Sequence, residues 1–195
     1  MTCYRSFVNR FDEAVRKLRA RSECGKCAAG CCDCCRTRSV LPVEALPLLD
    51  RLLRRRFAPP AGDRTDACPF LGREGTCGLG EAQPFVCRTH GLPILYLNPD
   101  GAWASNGCPR EEPHLVSVLE SDGVFPLHVW NAELHRINIE FCGTFGLPAR
   151  RIPLEELARN PQAYLPLLER IPERERRTWE PYPAASPVLA APPSS

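Results

Sequence analysis

The sequence predicts an α+β fold: one small, helix-rich domain with short β-hairpin elements. Three observations carry that expectation. Apolar residues recur at helical spacing over about 4–21, 43–57 and 125–141. A stretch dense in Gly and Pro, residues 68–91, favours turns and short strands over a long helix. Two apolar runs flank Asn98-Pro99-Asp100-Gly101 in the manner of a hairpin closed by a turn. With 195 residues and 44% apolar content the chain can bury a real core, and two full domains would be a tight fit. A single domain is expected over 1–178.

In chain order, the first helix carries Phe7, Phe11, Val15 and Leu18 on one face between charged residues. The second carries Leu46, Leu49, Leu53 and Phe57, with Pro47 tolerable only in a first turn. The hairpin joins PILYL (93–97) to AWAS (102–105). Leu127, Trp130, Leu134, Ile137 and Phe141 mark a core helix, and shorter helices are expected at about 153–159 and 161–170. The tail, 179–195, is too rich in Pro, Ala and Ser to pack and is expected to be disordered. The N-terminal segment lacks the continuous apolar run of a secretory signal, and no stretch approaches the roughly 20 apolar residues of a membrane span. These features point to a cytoplasmic protein with no membrane partner. A net charge of +2, with no long basic block, gives no argument for generic nucleic-acid binding.

Six of the twelve cysteines fall within CGKCAAGCCDCC, residues 24–35. Packing as small hydrophobes would scatter them instead of concentrating them beside Gly, Lys and Asp. Disulfides suit secreted scaffolds, and the neighbours Cys31 and Cys32 could bridge each other only under strain. Metal ligation explains the spacing directly, because the C-x2-C gap between Cys24 and Cys27 lets a tight turn aim two thiolates at one ion. Cys31 and Cys32 follow, and side chains on adjacent residues rarely grip the same ion. The pair therefore points to two metals, a bridged centre, or one ligand with a thiol beside it. Cys68, Cys77, Cys87 and Cys108 complete eight thiols, enough for two four-thiolate sites or one cluster with spare ligands. The fold is accordingly expected to be organised around one or two cysteine metal sites. Lys26, Arg36, Arg73 and Arg88 lie close enough in sequence to offset the thiolate charge.

The run C24-x2-C27-x3-C31-C32, then C68-P-F-L, a Gly-x-Cys turn ending at Cys77, and P84-x2-C87-R88 resembles the YkgJ-type cysteine-cluster family of zinc- or iron-chelating domains. The resemblance covers about residues 20–110 and implies a bacterial cytoplasmic metal-binding protein. It implies Cys24, Cys27, Cys31, Cys32, Cys68, Cys77 and Cys87 as ligands, with Cys108 less firmly placed. Cys34 and Cys35 lie outside the family's pattern.

Cys3 and Cys142 read as packing residues on amphipathic segments. His90, at C-x2-H from Cys87, is compatible with ligation but reads better as a polar loop residue, while His128 and His135 read as surface or core-edge groups and His114 is uninformative. Thiolate sites accept zinc, iron or an iron–sulfur cluster. The missing C-x2-C-x2-C ferredoxin run tilts the choice toward zinc, and the surplus sulfurs keep iron open. A structural or metal-handling role is expected, with metal ions as the partners. The alternatives are an iron–sulfur redox protein, an enzyme akin to the lysine methylases in larger relatives of the family, or a zinc-stabilised module binding RNA or protein. No nucleotide-binding or zincin motif supports catalysis. Only Phe70 and Phe85 lie near the cysteines for base stacking, and burial beneath the site is the better reading of both.

Overall fold

The computed structural model describes residues 2–21, 31–36, 38–55, 67–72, 75, 77–108 and 124–179, without the side chains at 2, 3, 21, 55 and 81. Helices and small sheets are mixed, as an α+β chain requires. Two compact units are distinguished: one comprises Met1, residues 28–84 and 140–195, the other residues 2–27 and 85–139.

In the second unit, α1 (Thr2–Arg21) buries Phe7, Phe11, Val15 and Leu18, the face expected from their spacing. Phe11 is edge-on to Phe85 at 4.7 Å, to Phe125 at 5.4 Å and to Trp130 at 5.4 Å between ring centroids. Such edge contacts match the positive rim of one ring to the negative face of the next. Arg10 stands over Trp130, 5.9 Å from its centroid, and pairs with Glu133.

The hairpin forms as expected, from β2 (Ile94–Leu97) and β3 (Trp103–Asn106), with Leu97 opposite Trp103. Its turn is closed by the Gly101 N–H donating to the Asn98 carbonyl at 3.0 Å, and by the Ala102 N–H donating to Asn98 Oδ1 at 2.8 Å. Gly101 has φ +78°, a conformation that only glycine adopts without strain. A third strand, β4 (Phe125–Pro126), pairs in parallel with β2 and displaces the start of the expected helix to Leu127. That helix runs Leu127–Phe145; α3 is the short Phe85–Arg88 and the long helix is α4.

In the first unit, α2 (Pro42–Arg55) begins with Leu41 as N-cap, whose N–H donates to Glu44 Oε2 at 3.0 Å. Glu44, at the third helical position, supplies the carboxylate half of a capping box. Replacing Glu44 with Ala is expected to destabilise the fold by about 1 kcal/mol in urea titration, the usual cost of a lost cap; an unchanged midpoint would remove this role.

Pro47 is the sixth residue of α2, beyond the first turn to which the sequence argument confined it. The helix continues regardless, because burial of Val43, Leu46, Leu49 and Leu52 outweighs the missing donor. The buried stripe passes through Leu52; Leu53 is only half-buried, and Phe57 lies outside the described residues.

The expected C-terminal helices are present as α5 (Leu154–Arg159), then a 3₁₀ turn at Pro161–Tyr164 leading into α6 (Leu165–Glu169); a further helix that was not expected, α7 (Glu173–Arg177), follows. The 3₁₀ turn, α5 and α6 pack on α2. Asp50 on α2 accepts from Arg54 Nε at 2.7 Å and faces Arg176 of α7 at 3.7 Å. A two-stranded sheet, β1 (Ser39–Val40) with β5 (Ile152–Pro153), leads directly into α2 and α5.

The last turn of α4 closes on Gly146, at φ +63°, with the Leu147 N–H reaching the Cys142 carbonyl at 2.8 Å and Leu147 buried. This is the Schellman pattern. Residues 180–195, where disorder was expected, lie outside the described residues. Among the described residues no helix is long and apolar enough to cross a membrane.

Candidate metal centre

Within the first unit the chain makes three tight turns that each open on a cysteine. The Cys35 N–H donates to the Cys32 carbonyl at 3.0 Å, the Leu71 N–H to the Cys68 carbonyl at 3.0 Å, and the Gly80 N–H to the Cys77 carbonyl at 3.3 Å. Proline at 69 presets the second turn, and the glycines at 78 and 80 suit the third. The turns are stitched together by backbone pairing. Arg36 bridges Ala67, the Cys68 N–H reaches the Cys35 carbonyl at 3.0 Å, and Leu71 bridges Cys77. Phe70 is fully buried and anchors the middle turn.

This arrangement brings cysteine-bearing turns side by side. Burial pushes the Cys35 thiol up from 9.0 to about 12, and Cys34, Cys77, Cys68 and Cys32 each lie close enough to add electrostatic repulsion against its ionisation. Burial also raises Cys68, with Cys77 contributing, while the Phe70 N–H directed at the Cys68 sulfur acts the other way by favouring a thiolate. A thiolate here forms readily only with a cation to offset it.

Of the expected ligands, Cys32, Cys68 and Cys77 lie on turns that backbone bonds tie together. Cys31 is half-buried beside Cys32. Cys24 and Cys27 lie outside the described residues, as do Lys26, Arg73 and His114. Cys87 and Cys108 belong to the other unit, both half-buried. Cys35, outside the family's pattern, ends the turn that Cys32 opens. The signal was available, since Cys32-x2-Cys35 repeats the spacing of Cys24-x2-Cys27.

The donor chemistry suits a thiophilic cation. Among the described residues no three His, Cys, Asp or Glu side chains form a group able to hold a metal ion.

Other expectations sort plainly. Arg88, considered as a counter-charge to the thiolates, pairs with Asp12 through Nη1 at 2.8 and 2.9 Å. Cys142 is buried on α4 with its sulfur 3.8 Å from the Pro148 carbonyl, a packing role; the Cys3 side chain is not described. His90 is half-buried in the turn after α3, where its N–H donates to the Cys87 carbonyl at 3.3 Å. His128 packs edge-on to Trp103 at 4.7 Å, and His135 is exposed. Phe70 and Phe85 are both buried and offer no face for a nucleic-acid base.

The raised thiols fix a pH dependence. Below the ordinary thiol range both folded and unfolded chains hold the Cys35 proton; above 9.0 the unfolded thiol ionises first, and the folded one follows only near 12. Stability of the metal-free chain therefore falls progressively across that window. Tyr164 adds to the same trend, because burial and its bond to Glu156 push it up to about 12. Urea midpoints measured from pH 8 upward under reducing conditions should decline, less steeply in Cys35→Ser; a flat profile would contradict this placement.

No family model matches this chain, nor does any curated protein or solved structure.

Proposed function

We propose that this is a cysteine-rich metal-binding protein that chelates zinc or iron, as a mononuclear or iron–sulfur centre, through clustered thiolates. Its role is structural or in metal handling. One observation carries the reading: three turns, at 32–35, 68–71 and 77–80, each open on a cysteine and are tied to one another by backbone hydrogen bonds and bridges. Gathering buried thiols without a cation raises the cost of ionising every one of them, whereas a thiophilic cation turns the same proximity into binding energy. The cysteine spacing favours the YkgJ-type family, and a reducing, cytoplasmic setting keeps the thiols available.

The test is elemental analysis of protein purified without oxygen, beside a Cys68→Ser variant. Stoichiometric zinc or iron in the wild type, reduced in the variant, is the expected result. Brown colour that bleaches on reduction identifies an iron–sulfur centre, and a colourless zinc protein a redox-silent one. Wild-type protein that retains neither metal and takes up none when reconstituted overturns the proposal.

A further inference from the structure

The resemblance that motivates metal binding leaves Cys35 out of the ligand set, yet the backbone ties Cys35 to both Cys32 and Cys68. Cys32 and Cys35 mark the two ends of one turn, and Cys68 and Cys77 each open another. The three turns are chained in order. The Cys68 N–H holds the Cys35 carbonyl at 3.0 Å, the Gly78 N–H holds the Phe70 carbonyl at 2.7 Å, and the bridges Arg36–Ala67 and Leu71–Cys77 run beside these bonds. All of these residues belong to the first unit.

Resting on the metal-binding reading, we infer that the first unit holds a self-contained four-thiolate site for a thiophilic divalent cation, made by Cys32, Cys35, Cys68 and Cys77. The C-x2-C pair at 32–35 supplies two sulfurs from one turn, as such pairs do in structural zinc sites. Cys68 and Cys77 come from turns tied to it in sequence, so the four attachment points are set before any metal arrives. The Phe70 N–H aimed at the Cys68 sulfur is the kind of donor that orients and stabilises a ligating thiolate. Cys34 lies within electrostatic reach of Cys35 but is its immediate neighbour, and adjacent side chains leave the backbone in diverging directions. All four residues are half-buried, neither sealed in the core nor fully in water. Since no three described side chains yet stand in ligating positions, closure requires rotation about Cα–Cβ between staggered positions, with the turns retained.

The full-length chain, reduced and metal-free, is titrated with Co²⁺ alone and then with Zn²⁺. The wild type should develop the intense sulfur-to-cobalt charge-transfer and tetrahedral d–d bands, which Zn²⁺ then abolishes. Cys35→Ser should weaken cobalt binding by about tenfold or more, at least the loss seen on removing groups that merely support ligands; Cys34→Ser should stay within about twofold. Wild-type affinity in Cys35→Ser overturns the four-thiol assignment and leaves metal binding standing. A wild type that develops no cobalt bands sinks metal binding itself. Should Cys35→Ser fail to fold, alkylation of the zinc-loaded wild type, mapped by mass spectrometry, decides the matter without a substitution. Protection of Cys32, Cys35, Cys68 and Cys77 with modification of Cys34 supports the assignment, and modification of Cys35 as fast as Cys34 overturns it.

Discussion

Stripping metal from the proposed centre with a chelator is expected to lower the melting temperature of the full chain by roughly 10 °C. The magnitude follows from linkage. A ligand present at about a thousand times its dissociation constant stabilises the folded state by about 4 kcal/mol. In a chain of this length each kcal/mol moves the transition by about 2–4 °C. The loss should also be local. The turns at 32–35, 68–71 and 77–80 are irregular backbone held by a handful of hydrogen bonds, and they lack the ladder that supports the hairpin of β2 and β3. Limited proteolysis after chelation should therefore cut within 31–36, 67–72 and 77–80 well before 94–106, since backbone held by few hydrogen bonds opens first. Readdition of Zn²⁺ should restore both readouts. A melting temperature and cleavage pattern indifferent to the chelator, in protein shown to lose its metal, would make the metal a passenger rather than part of the fold.

The expectation that turns would dominate residues 68–91 rested on Gly and Pro, and those residues act locally: Gly and Pro restrict or release their own dihedral angles, so their effect is readable without knowing the fold. The same holds for the helices, whose periodicity reports a buried face whichever surface covers it. Three features escaped. The strands Ser39–Val40, Phe125–Pro126 and Ile152–Pro153 are two residues each, too short to show alternation, and two of them end in proline. Pro47 was judged by a local rule that burial along α2 overrides. The partner of Arg88, Asp12, is 76 positions away, and no local pattern couples such a pair.

The cysteines show the same division between local and distant information. Their density was enough to raise metal ligation, because sulfur clustering is a property of composition. Which cysteine-bearing turns lie side by side was not, because that depends on pairing between 36 and 67 and between 71 and 77. Matching the run against a family pattern passed over Cys35, whereas the Cys32-x2-Cys35 gap, taken by its geometry alone, would have kept it.

Phe11→Ala is expected to cost about 3–5 kcal/mol, the usual range for truncating a buried aromatic. Phe11 is 1% exposed. Its ring contacts Phe7, Phe85, Phe125 and Trp130, which derive from α1, α3, β4 and α4. Removing it opens a cavity that four large, differently anchored rings cannot fill together, since each is held by its own element. Natural domains are stable by only about 5–15 kcal/mol, so the loss is a large fraction of the total. Conservative Phe11→Leu should recover part of it by refilling volume, though not the edge-to-face contacts. Phe11→Ala should accordingly lower the urea midpoint, and an unchanged midpoint would contradict this packing.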